Sequence, residues 1–330
     1  MLIKYIYKTF SKTQLNCKTN INKKIIFEIK CPAMLKFIFI INLLLIFINL
    51  NHNINASLKN NQSIQKCYVS PTNTDLKIIH LIITRFMIEF WPGGDFKHKI
   101  YTKDYLLNGL RVMKKYLFPS LENQSCKKFI WVLKIGDKSN KTLIKTLIDF
   151  ALDFEKEIIY ERDIKEYIKN KTYGYDVLIT SRIDYDDRIY YDAVNDVRKY
   201  ININKPMFLH GYNRGVHYYE SNDKYYELNA DYKNRGVKSI FVSLIVILDK
   251  VNGTYNIFDL GSHTSCRETL LNSYKSFGIK KLDYEPSNFD NGDIKFVWVR
   301  HNFSGLFNYS VKVEKSLKDY DFNLSKFYGK

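Results

Sequence analysis

Three carboxylates fall within four residues in "LITSRIDYDDRI": Asp184, Asp186 and Asp187. Each raises the cost of ionising its neighbours unless a cation or a shared proton lies among them. Residues i and i+2 of an extended chain share a side, so Asp184 and Asp186 are expected to face together. Tyr185 would then turn away, with Asp187 just beyond. Oxygen-only ligands suit a hard divalent ion, Mg2+ or Mn2+, and an ion held by few protein groups keeps places for phosphate oxygens. A plainer reading is that these acids cap a helix starting near Arg188, since Asp favours helix N-termini.

The segment that must position them is "YDVLITSRID", which reads as a strand. An earlier strand, "LKIIHLIITRF", is followed by a helix from Lys103 to about Leu117. Its expected apolar face is Leu106, Leu107, Leu110, Met113 and Leu117. A second strand, "KKFIWVLKIGD", ends at Gly136 and Asp137. The next helix places Leu143, Ile144, Leu147, Ile148 and Ala151 on one side. "KEIIYERD" is a third strand, and Ile164 to Asn170 is helical.

Strand and helix alternate for about a hundred residues. That pattern predicts an α/β fold with a mostly parallel central sheet and helices on both faces. Ligands of such sheets bind outside the carboxyl ends of the strands. Thr84, Arg85, Asp137 and the run from Arg182 to Asp187 all fall at those ends. After Lys205 the alternation stops. "PMFLHGYNRGVHYYE", "SIFVSLIVILD" and "YNIFDL" read as strands or hairpins, with a helix near Glu268 to Lys275, which makes a β-rich C-terminal part.

The front of the chain is different. "MLKFIFIINLLLIFINL", residues 34–50, is the most hydrophobic window and is near the lower limit for a membrane span. Seven lysines against one glutamate precede it, which would leave the N-terminus cytosolic and the bulk of the chain luminal. Initiation at Met34 would instead make it a signal peptide, and a buried core helix is a third option. The expected organisation is a basic tail (1–33), this anchor or signal (34–50), an Asn-rich stem (51–75), a catalytic domain (76–315) and a C-terminal tail (316–330).

A net charge of +17 raises the possibility of nucleic-acid binding. The lysines are spread along the whole chain, however, and form no run interleaved with aromatics, so no nucleic-acid partner is expected. The five cysteines show neither CxxC nor zinc-finger spacing. Of the three beyond the apolar window, at most two can pair, and the sequence does not choose among Cys67, Cys126 and Cys266; small buried residues are the alternative. Asn-x-Ser/Thr sites at Asn55, Asn61, Asn140, Asn170 and Asn252 fit a secretory location, membrane-anchored or secreted.

Three ordered segments, "IITRF", "PSLENQSCKKFIWVLKIGDKS" and "LITSRIDYDDRI", resemble a bacterial family assigned as rhamnosyltransferases, itself similar to GT-A glycosyltransferases. The matching positions are Thr84, Arg85 and Phe86; Pro119, Ser120, Leu121 and Gln124; Phe129, Trp131 and Asp137; and Ser181, Arg182, Ile183, Asp184, Asp186 and Asp187. "SIFVSL", His263, Trp298, His301 and Asn302 resemble the family's closing segments more loosely. Ser181 replaces the usual Thr, Tyr185 replaces a small polar residue, and the acceptor side is unmatched.

The resemblance implies a GT-A-like nucleotide-diphospho-sugar transferase, a hexosyltransferase, moving a sugar from a nucleotide-diphosphate donor to a glycan or other hydroxyl acceptor. Asp184 and Asp186 would hold Mn2+ or Mg2+ as Lewis acid for the leaving diphosphate. His301 is a further candidate metal contact. Thr84, Arg85, Asp137 and Arg182 would meet the donor, the arginines at its phosphates. Asp259 and Glu268, with the 184–187 acids, are the candidate catalytic carboxylates. Rival readings are a non-catalytic carbohydrate-binding protein of the same fold and a metal-dependent phosphohydrolase.

Overall fold

The computed structural model describes residues 67–68, 75–88, 100–149, 155–212, 214–228, 240–251, 255–260, 294–300 and 322–328. All belong to the second of two compact units, Ser63–Lys330. The hydrophobic window 34–50, His263, the Glu268–Lys275 segment, His301 and Asn302 lie outside the described residues. Among the described residues no helix is long and apolar enough to cross a membrane.

The central sheet has six strands in the order β3-β2-β1-β4-β9-β6. They are β1 (Ile78–Phe86), β2 (Ile130–Ile135), β3 (Lys156–Tyr160), β4 (Val177–Asp184), β6 (Met207–Gly211) and β9 (Val242–Ile247). β3, β2, β1 and β4 are mutually parallel; β9 is antiparallel to both of its neighbours, β4 and β6, so β6 runs in the same direction as the first four. The parallel strands are buried on both faces and read as near-continuous apolar runs. The mostly parallel α/β sheet expected from the alternation is therefore present.

Helices cover both faces. On one face α1 (Lys103–Lys115), α2 (Leu117–Glu122), α3 (Lys141–Asp149) and α5 (Ala193–Lys199) pack over Ile82, Leu133, Ile179 and Ile183. On the other, α4 (Ile164–Lys171) and a 3-10 turn, Ile257–Leu260, cover Ile83, Val132 and Leu178. The apolar face of α1 differs from the expected one. Leu106, Gly109, Val112 and Met113 are buried and Leu107 points outward. Gly109 lets α1 approach the sheet, because a Cβ there would sit 2.4 Å from the Phe86 ring.

Three more expectations are corrected. "YNIFDL" is the 3-10 turn and not a strand, because Asp259 accepts from Asn256 N and Nδ2 and curls the chain back on itself. "PMFLHGYNRGVHYYE" does hold the expected strands, β6 and β7 (Gly215–Tyr219), but they form no hairpin, since β6 joins the central sheet and β7 a second one. That second sheet, β5-β10-β7-β8, is the β-rich addition and contains β5 (Arg188–Ile189), β8 (Lys224–Leu228) and β10 (Phe296–Arg300). Arg188 thus opens a strand and not a helix, so the carboxylates before it cap nothing helical.

A disulfide joins Cys67 to Cys126, just ahead of β2, across 59 residues. Tyr68 N also donates to Asn195 Oδ1. Removing the disulfide by Cys126→Ser is expected to lower stability by about 4 kcal/mol on loop-closure grounds, measured by urea denaturation. The buried chain His80–Ser181–Ser243, with separations of 2.7 and 2.6 Å, crosses three strands. Burial, aided by Arg198, holds the His80 imidazole well below 6.5, so the native state keeps it neutral. The unfolded chain takes up that proton first, and stability is lost as pH falls below about 6.5, by at most about 1.4 kcal/mol per unit. Denaturation at pH 7.5 and 5.0 should show His80→Gln with the shallower loss.

Candidate functional site

β1, β2 and β4 end level with one another, and their register decides which side chains meet. Arg85 lies opposite Lys134 on one side and Asp184 on the other, and Ile83 lies opposite Arg182. Strand alternation then sends Arg85, Lys134, Arg182 and Asp184 to the same face, the one shared with Ile83, Val132 and Leu178. Arg85 and Arg182 both reach Asp184 Oδ1, at 3.2 and 3.5 Å.

Thr84, one residue earlier than Arg85, faces the opposite side. It is fully buried and accepts from Trp131 Nε1 at 2.9 Å. Its hydroxyl ties β1 to β2 beneath the site and does not line it.

Lys134 was not singled out by sequence, although a lysine inside "IWVLKI" is the one charge in an otherwise apolar strand. It is buried, pairs with Glu161 at 2.9 Å and sits 4.5 Å from the centroid of the Phe258 ring. Arg85 and Arg182 approach the same ring at 5.9 and 5.6 Å. Burial lowers the Lys134 pKa from its ordinary value, Arg85 and Arg182 lower it further, and Glu161 opposes them.

The acidic loop does not continue the strand. β4 stops at Asp184, Tyr185 and Asp186 form a turn, and Asp187 N donates to the Asp184 carbonyl at 3.3 Å. The extended geometry expected to bring Asp184 and Asp186 to one side is therefore absent. Tyr185 fixes the turn instead. Its ring packs edge-on against Phe86, with centroids 5.5 Å apart, and it hydrogen-bonds Tyr105 of α1. Burial, then Asp186, raise the Tyr185 phenol well above its ordinary value, so it remains protonated.

Asp187 is buried, and its Oδ1 accepts from Val299 N of β10 at 3.1 Å. It therefore ties the acidic loop to the second sheet. Asp137 is exposed beyond β2, where it accepts from Arg162 N at 3.3 Å. The turn there needs Gly136, since a Cβ would lie 2.2 Å from the Met87 carbonyl. Asp259 is drawn into its own 3-10 turn and pairs with Lys165 at 3.1 Å. Glu268 and His301 lie outside the described residues.

Among the described residues no group of three or more His, Cys, Asp or Glu is gathered closely enough to hold a metal ion. What this edge offers a divalent cation is Asp184 and Asp186, each partly exposed and separated by the turn at Tyr185. That donor set fits a hard ion which takes one or two carboxylates and completes its shell with phosphate oxygens and water.

No protein-family model matches the chain, and no curated protein matches it in sequence. Solved structures are similar to the chain only at low identity and low TM-score. One is a protein from Desulfovibrio desulfuricans G20 assigned as a nucleotide-diphospho-sugar transferase, 8% identical with a TM-score of 0.33 over 67% of this chain and 78% of that one. Another is the inositol-1-phosphate CTP transferase from T. maritima, 11% identical with a TM-score of 0.28 over 68% and 85%. A third is residues 1–349 of S. aureus TarS, 12% identical with a TM-score of 0.30 over 68% and 60%; that fragment has also been solved with UDP.

Replacing Asp187 by Ala should leave Val299 N unmet in the interior and destabilise the protein by about 1–3 kcal/mol. Asp187→Asn, which keeps an acceptor, should recover most of that loss. Thermal melting of the two variants beside the parent checks both.

Proposed function

We propose that the chain is a glycosyltransferase that moves a sugar from a nucleotide-diphosphate donor to a hydroxyl acceptor. The observation that carries this reading is the meeting of Arg85, Arg182 and Asp184 at the carboxyl edge of a parallel sheet, with Asp186 in the adjoining turn. A leaving diphosphate needs positive charge, and guanidinium groups match its oxygens in bidentate fashion. A carboxylate pair beside them suits a divalent cation, Mn2+ or Mg2+, which would supply Lewis-acid stabilisation of the same leaving group.

In this reading Asp184 holds the two arginines in register until the donor arrives and then contributes an oxygen to the cation. Asp186 is the second ligand, presented by the Tyr185 turn, and His301 is the candidate third. Asp137, beyond β2 and exposed, meets the nucleoside. Among the candidate bases, Asp259 is already engaged by Asn256 and Lys165, which favours Glu268 for deprotonating the acceptor. The donor sugar is a hexose in this proposal, and the acceptor a glycan or glycoconjugate.

Export of the catalytic unit, luminal behind a type II anchor or secreted, is part of the same proposal. The Cys67–Cys126 bridge suits an oxidising compartment, and the acceptor asparagines Asn140 and Asn170 are exposed.

The test is release of nucleoside diphosphate by the full-length chain with Mn2+ and a panel of sugar nucleotides. Donor-dependent release should vanish with EDTA and fall at least about a hundredfold in Asp186→Ala, in line with the loss of a cation that stabilises the leaving group. Nucleotide or phosphate release from phosphoesters, with none from any sugar nucleotide, would replace this reading with a phosphohydrolase.

A further inference from the structure

Like charges crowd at the carboxyl edge of the sheet on the basic side as well as the acidic one. Arg85, Lys134 and Arg182, from three neighbouring strands, all lie within 6 Å of the Phe258 ring centroid. Cations at this range repel one another, the more strongly the less water surrounds them, and the side chains of Lys134 and Arg182 are only 7% and 5% exposed. An aromatic face offsets part of that cost. Asp184 meets both arginines through Oδ1, and Glu161 meets Lys134. Glu161 is 45% exposed, and Arg85, at 17%, is the most open of the three cations.

Phe258 is held in place independently of the cations. Its 3-10 turn hangs on Thr180 of β4, whose Oγ1 accepts from Ile257 N at 2.9 Å, while Phe258 N donates to Asn256 Oδ1 at 2.9 Å. The ring therefore forms one wall of a preset cluster. Three preset cations side by side match an oxyanion with several oxygens on adjacent phosphorus atoms better than they match a lone carboxylate.

We propose that Arg85, Lys134 and Arg182, gathered by Phe258, form a seat for the diphosphate of the donor, and that Glu161 occupies Lys134 until the diphosphate takes its place. This assignment rests on the transferase reading, but it places phosphate affinity in the protein's own cations, so the seat binds without any divalent ion.

The test is calorimetric titration of inorganic pyrophosphate into the full-length chain in EDTA. Saturable binding is expected, weakened about tenfold or more in Lys134→Gln through loss of a charge-assisted contact and close to the parent in Lys134→Arg. Glu161→Gln should bind several-fold more tightly, a gain that a merely structural ion pair would not produce. If Lys134→Gln does not fold, Glu161→Gln decides alone. Displacement of pyrophosphate by at least one member of the sugar-nucleotide panel assigns the seat to the donor. The proposal is overturned if the parent does not bind pyrophosphate, if both charge-removing variants bind as the parent does, or if no sugar nucleotide competes. Lys134-dependent binding and competition without turnover would instead count against the transferase reading and leave the seat in place.

Discussion

Everything distinctive about this molecule depends on the register between β1 and β4. Parallel pairing sets Arg85 beside Asp184 and brings Arg182 up two residues behind it on the same face. A slip of one residue would turn each of these charges to the other side of the sheet, where Trp131, Leu133 and Ile183 form a closed apolar layer. The core and the charged edge are therefore two readings of one alignment. Burying the apolar positions leaves Arg85, Arg182 and Asp184 no other arrangement.

The loop beyond β4 answers to two bodies at once. Tyr185 packs against the helix-side core through Phe86 and also against the smaller core that includes Val112, Tyr116 and Val297. Asp187 binds the backbone of β10 in the second sheet. Asp186 lies between these two ties, so its position is set by the packing of both sheets. A carboxylate placed in this way is held without a rigid element of its own, which helps to explain why a turn and not a strand presents it.

Much of this was legible in the sequence. The apolar runs of β1, β2 and β4 and the intervening helical segments gave the parallel sheet, and strand ends located Arg85, Asp137, Arg182 and Asp184 at one edge. What could not be read was the face. Thr84 and Arg85 are adjacent, yet Trp131 claims the first and Asp184 the second, and only the partner strands reveal which. The Asp-x-Asp spacing suggested a shared side because it assumed an extended chain, whereas Asp187 N turns back to the Asp184 carbonyl. The 3-10 turn at Ile257–Leu260 was hidden because "YNIFDL" has strand-like composition and Asp259 overrides it through Asn256. Phe258 thus reached the charged edge by a route that composition does not show.

The bridge between Cys67 and Cys126 has a mechanical consequence. Cys126 precedes β2, whereas Lys134 and Asp137 mark that strand's far end, so the covalent tie and the charged edge lie at opposite ends of the same strand. Tension arriving along the chain from before Cys67 is delivered through sulfur to the start of β2. It bypasses the segment leading into β1, whose hydrogen bonds would otherwise be the first to carry it. A pull entering at Cys67 therefore loads the floor of the fold and spares its rim.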